Sequence, residues 1–182
     1  ILGQNLYGQW GEDERAKFRK QNIGMVYQQP RWIRALNVLK NVAFPLSLLG
    51  EDKIARQNKA MEMLKLVGMT QWANYMPSKL SSGQQQKIAL SRALITNPDI
   101  LIADEPTGNL DYKSGQELMQ LLDNLNKETN KTFLMATHDL EYVKFAKTTI
   151  EMFDGQIKHV YAQKDKQHLL DKLPTKRGAH DE

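Results

Sequence analysis

The chain has 182 residues, of which 25 are basic and 21 acidic, for a net charge of +4. That length fits one sizeable core with a satellite subdomain and crowds two full domains, while the mild positive excess neither demands nor excludes nucleic acid or an anionic surface. The absence of cysteine excludes a disulfide framework, a thiolate metal site and a cysteine nucleophile, and no long uncharged apolar run of the kind that spans a bilayer occurs, so membrane contact is expected only through a partner.

In chain order, Gly3 and Gly8 have the glycine spacing of a phosphate-cradling loop G-x-x-x-x-G-K-[ST], but Gln9 and Trp10 follow where lysine and a hydroxyl residue are required, so both read as turn glycines. Glu12 to Lys20 is charged and helical in character, and Asn22 to Tyr27 is a short apolar strand with Gln28 at its exit. From Pro30 to about Ala73 the pattern changes. Ile54, Met61, Leu64 and Val67 fall at helical spacing and Gly68 is placed to cap the helix, which makes this stretch a helical insertion between strands.

A further helix starts near Ser82 and runs through Ile88, Ala89 and Ala93 until Asn97-Pro98 stops it. Ile100 to Ala103 is an apolar strand that ends on Asp104 and Glu105. Leu118, Leu121, Leu122 and Leu125 make an amphipathic helix, Thr132 to Ala136 a strand, and Ile150–Phe153 with Ile157–Tyr161 a hairpin about Asp154-Gly155. Alternating strands and helices imply an α/β fold with a parallel sheet. After Tyr161 the hydrophobicity drops, and residues 162–182 read as a loosely ordered tail with one short helix near His168 to Lys172.

Two segments carry chemistry. An apolar strand closing on two carboxylates is how a buried parallel strand presents a metal ligand and a base at its carboxyl end, although a cap or salt bridge would use the same residues. Leu80-Ser81-Ser82-Gly83-Gln84-Gln85-Gln86 is a Ser/Gly turn feeding a helix, which aims free backbone N–H groups at an anion. Gln28 and His138, taken alone, are ordinary polar residues at strand ends.

The order and spacing of these segments, with Gln28 before them and His138 in Ala136-Thr137-His138-Asp139 after them, resemble the ATPase domain of ATP-binding-cassette (ABC) proteins. The resemblance covers roughly residues 1–161. It implies a P-loop, RecA-like sheet flanked by helices, with the helical subdomain and signature helix at about 30–95. Pro106-Thr107-Gly108-Asn109-Leu110-Asp111 continues the match, and Asn41-Val42-Ala43-Phe44-Pro45-Leu46 looks most like the branch that includes lipoprotein-releasing, macrolide-exporting and cell-division ATPases.

By that resemblance, Asp104 and Gln28 help hold Mg²⁺, Glu105 polarises the attacking water as general base, and His138 hydrogen-bonds the γ-phosphate of ATP. Ser81, Ser82, Gly83 and Gln84 close over ATP held by a second domain in a head-to-tail dimer, and Asp111 belongs to the loop that crosses this interface. Asp111 also reads as an N-terminal carboxylate of the following helix. Ser82 stands where the family usually has glycine, and Lys87 where arginine is more usual. Arg31-Trp32-Ile33-Arg34 suits docking of a membrane-spanning subunit better than nucleic acid, which is not expected as a partner.

The implied function is an ATP-hydrolysing transporter subunit on the inner face of the plasma membrane. Lacking the phosphate loop, the 182 residues by themselves are expected to hydrolyse no ATP. The alternatives are a non-catalytic remnant and a nucleic-acid maintenance ATPase, the latter disfavoured by the absence of sustained heptads.

Overall fold

A computed structural model describes residues 1–3, 5, 8, 10–129 and 131–165. The chain divides into two compact units, Ile1–Ala136 and Thr137–Glu182.

The first unit is built on three parallel strands, β1 (Ile23–Val26), β2 (Ile100–Asp104) and β3 (Thr132–Ala136), in the order β1-β2-β3. Val26 lies opposite Ala103, and Asp104 opposite Ala136. Because parallel strands run the same way, the chain leaves all three at one edge of the sheet, and Gln28, Asp104 and Glu105 follow from that edge. β1 is shorter than its apolar stretch because Asn22 closes the preceding helix α1 (Glu12–Asn22), donating its side-chain amide to Phe18 O at 2.9 Å.

Between β1 and β2 lie α2 (Val38–Ser47), α3 (Lys53–Leu66) and α4 (Ser82–Leu94). Val38, Val42, Leu46, Ala60, Leu64, Val67 and Ile88 pack into one buried cluster. The helix over Ile54 to Val67 forms as the spacing predicts, and Gly68 ends it at φ +69°. Its buried face differs, however. Ala60 and Leu64 point inward, whereas Ile54 is 70% exposed and Met61 38%. Helix α4 is seated directly on the sheet, since a Cβ at Gly24 would run into the Ala93 carbonyl. Asn97, at φ +52°, turns the chain into β2.

Helix α5 (Tyr112–Glu128) connects β2 to β3 and buries Leu118, Leu122 and Leu125 as its spacing indicates, with Met119 buried beside them and Leu121 only half-buried. In the second unit Leu140–Phe145 is a short 3₁₀ turn, and β4 (Thr148–Phe153) pairs antiparallel with β5 (Gln156–Ala162). Asp154 and Gly155 both take positive φ, +50° and +70°, as the two-residue mirror-image turn of a tight hairpin requires. Ala162 completes β5 and Gln163–Asp165 form a further turn; the short helix expected near His168 lies outside the described residues.

Candidate active site

The exits of β1 and β2 converge. Asp104 is the last residue of β2 and is exposed, while Glu105, half-buried, steps off the strand with φ +44°. A glutamate in the left-handed region is an uncommon and costly conformation of the kind that gathers at functional sites. Its N–H donates to Ala136 O at 2.9 Å, and Gly108 N to Glu105 O at 3.1 Å starts the turn that carries the chain back. Gln28 comes to meet this turn. A Cβ on Gly108 would lie 2.8 Å from Gln28 Nε2, and the Asn109 side-chain amide donates to Gln28 O at 3.2 Å. The first unit therefore brings Gln28 together with the loop that follows Asp104 and Glu105.

The segment 81–84 forms the N-terminus of α4. Ser81 Oγ accepts from Gln84 N at 3.3 Å while Gln84 Oε1 accepts from Ser81 N at 3.0 Å, a reciprocal capping box. Ser82 opens the first turn and is exposed, so its Cβ meets no crowding from the helix core. Gly83 is buried, and a Cβ there would stand 3.1 Å from Ser114 Cβ, which explains why α4 approaches α5 at this point. Lys87 Nζ pairs with Glu117 at 2.8 Å across the same two helices and holds that carboxyl below its ordinary range.

Asp111 caps α5. Its Oδ1 accepts from Ser114 N at 3.0 Å and its Oδ2 from Ser114 Oγ at 2.7 Å, and these bonds lower its pKa. The capping role is thus directly visible.

The loop after β1 is held by side-chain amides. Asn41, fully buried, donates to the carbonyls of Ile33, Leu36 and Asn37 and accepts from Ile33 N at 2.9 Å. Trp32 donates its indole N–H to Gln85 Oε1 at 2.7 Å, and Gln85 in turn donates to Leu80 O at 3.0 Å. Arg92 lies 4.6 Å from the Trp32 ring centre and donates to Arg31 O; burial lowers its pKa. Of the Arg31 to Arg34 patch, Trp32 is drawn inward while Arg31, Ile33 and Arg34 remain exposed.

His138 lies in the second unit, exposed and two residues beyond β3. Beside it, Asp139 Oδ1 accepts from Glu141 N at 2.9 Å, capping the 3₁₀ turn.

The sequence places Gln85 and Gln86 in the segment that feeds α4 but gives neither a role of its own. A signal was present for Gln86, because it precedes Ala89 by three residues, Leu90 by four and Ala93 by seven, which puts it on the buried stripe of α4.

The fold and the gathered loops define an α/β cassette of the P-loop class. The chain superposes with a TM-score of 0.76 on the ATP-binding cassette MJ0796 solved as a dimer in a post-hydrolysis state with ADP and Pi, at 38% identity, covering 85% of this chain and 68% of that one. The chain belongs to the ABC transporter family, whose model matches residues 2–108. It is 45% identical over 146 residues to the uncharacterized ABC transporter ATP-binding protein MJ1508 of Methanocaldococcus jannaschii, and 42% identical over 153 residues to MJ0796 of the same organism. Each match takes in 80% of this chain but only 65% and 64% of those relatives, just under two thirds of their length.

Proposed function

We propose that this sequence belongs to the ATP-binding and ATP-hydrolysing subunit of an ABC-type membrane transporter, in the lipoprotein-releasing, macrolide-exporting and cell-division branch. The observation that carries this reading is the convergence of Gln28 with the loop that follows Asp104 and Glu105, at the carboxyl edge of a parallel sheet. In this reading Glu105 takes the proton of the attacking water, held off the strand axis by its left-handed backbone. His138 donates to the γ-phosphate and Gln28 orients the water.

Asp104 and Gln28 offer hard oxygen donors of the kind that Mg²⁺ takes alongside waters and phosphate oxygens. When bound, Mg²⁺ supplies charge neutralisation for the phosphates.

Ser81, Ser82, Gly83 and Gln84 close over ATP held by a second copy, with Asp111 in the loop that crosses between the copies. The Arg31 to Arg34 patch receives the membrane-spanning subunit, and the protein works peripherally at the inner face of the plasma membrane. No helix among the described residues is long and apolar enough to cross a membrane. The 182 residues contain no G-x-x-x-x-G-K-[ST] loop, so by themselves they turn over no ATP in this reading.

The test is to read the coding sequence upstream of Ile1 and to measure ATP turnover in protein translated from the whole reading frame. Turnover that depends on Mg²⁺ and is abolished by Glu105→Gln is the expected result. A frame closed immediately upstream favours the non-catalytic remnant instead, and turnover indifferent to Glu105 overturns the role given to that residue.

A further inference from the structure

We infer that Gln86 is a positioning residue of the hydrolytic site, fixing Gln28 and the Glu105 turn against each other from helix α4. This inference rests on the reading of Gln28 and Glu105 proposed above.

Gln86 is 1% exposed, and its Nε2 lies 3.0 Å from each of three backbone carbonyls, those of Tyr27, Gln28 and Pro106. One primary amide thus serves both walls of the site. Two of its acceptors flank the Gln28 backbone, and the third belongs to the residue that directly follows Glu105. A carboxamide has two N–H groups, so three carbonyls at equal distance share them, and turning the amide over would set Oε1 against three oxygens. The orientation is therefore decided by chemistry.

The other half of the group argues against a role in stability alone. Gln86 Oε1 is buried and has no hydrogen-bond partner among the described residues. A buried acceptor without a partner is costly, and an apolar side chain of the same length would avoid that cost but leave the three carbonyls without this donor. Gln86 thus spends stability at the one place where its donors hold the two catalytic loops in register. The same helix begins with the Ser81 to Gln84 box, so Gln86 is one side chain through which a movement of α4 along its axis reaches Gln28 and Pro106.

The experiment uses protein translated from the whole reading frame, carrying Gln86→Met, which conserves length and removes both the donors and the unpaired acceptor. Misplacing catalytic groups by about 1 Å costs up to roughly a hundredfold in rate, so kcat is expected to fall by about tenfold or more while KM for ATP changes little. The thermal midpoint should change little, because removing the unpaired Oε1 offsets the loss of a donor to the Tyr27, Gln28 and Pro106 carbonyls. Gln86→Glu is the second variant; protonated, it keeps one donor, so it should retain a larger fraction of wild-type turnover at low pH than at high pH. A Gln86→Met protein with normal kcat, or one whose kcat loss only mirrors a lower midpoint, overturns the inference. If the wild type turns over no ATP, or Glu105→Gln remains as active as the wild type, the reading of the site itself falls and takes this inference with it.

Discussion

Around α2, α3 and α4, the apolar side chains of Val38, Val42, Ala60, Leu64 and Ile88 are fully buried in one cluster. A few residues along the chain, the loop after β1 is tied down almost entirely by side-chain amides: Asn41 on the carbonyls of Ile33, Leu36 and Asn37, Gln85 beneath Trp32, and Gln86 on Tyr27, Gln28 and Pro106. The first region is held by a force that is strong but without direction. The second is held by bonds that are individually modest yet specify distance and angle. In the proposed site Gln28 and the loop after Glu105 are set by the second kind, while the first provides the frame.

Three substitutions or conditions test that contrast. Leu64→Ala opens a cavity in the helical cluster and should lower unfolding free energy by about 3 kcal/mol, read by denaturant titration, with the hydrogen bonds of the 28–37 loop unaltered. Trp32→Phe keeps the ring against Arg92 but removes the indole N–H from Gln85, and should lower unfolding free energy by about 1 kcal/mol in the same titration. An effect as large as that of Leu64→Ala would mean that the amide-held loop is a second core rather than a fixture on the first.

The smallest effect is electrostatic. Ser114 holds the Asp111 carboxyl below its ordinary value of 3.8, and the Ala55 and Ile54 N–H groups do the same for Asp52. Because the folded pKa is the lower one, the stabilisation is present above the unfolded value and is lost as pH falls through the folded one. Thermal midpoints measured from about pH 5 to pH 3 should therefore drop less steeply for Asp111→Asn, which keeps an N-cap but cannot titrate, than for the unmodified protein.

Much of the frame was legible from periodicity. The strand at Thr132–Ala136 matches residue for residue, and the Asp154-Gly155 turn and the leucine stripe of α5 follow from local rules that need no distant partner. The face of α3 was less so, because Ile54 and Met61 share helical spacing with Leu64 but the approach of α2 and α4 selects Ala60 and Leu64 instead. Of the site, Gln28 was legible at its strand exit, and so were the carboxylates of β2. The roles of Gln85 and Gln86 were not. The partners of Gln86 are backbone carbonyls 20, 58 and 59 residues away, and a carbonyl carries no signature in the sequence.

Gln84, Gln85 and Gln86 look like a short homopolymer, yet each helical step turns by about 100°, so three identical side chains leave the axis in three directions. Gln84 turns back to Ser81, Gln85 reaches Trp32, and Gln86 enters the core. Runs of one residue type are usually tolerant of gaining or losing a unit. Here the loss of one glutamine would rotate everything downstream by that same angle, taking Lys87 away from Glu117 and Ile88 out of the helical cluster. The tract is a phase marker, and its length is as constrained as its composition.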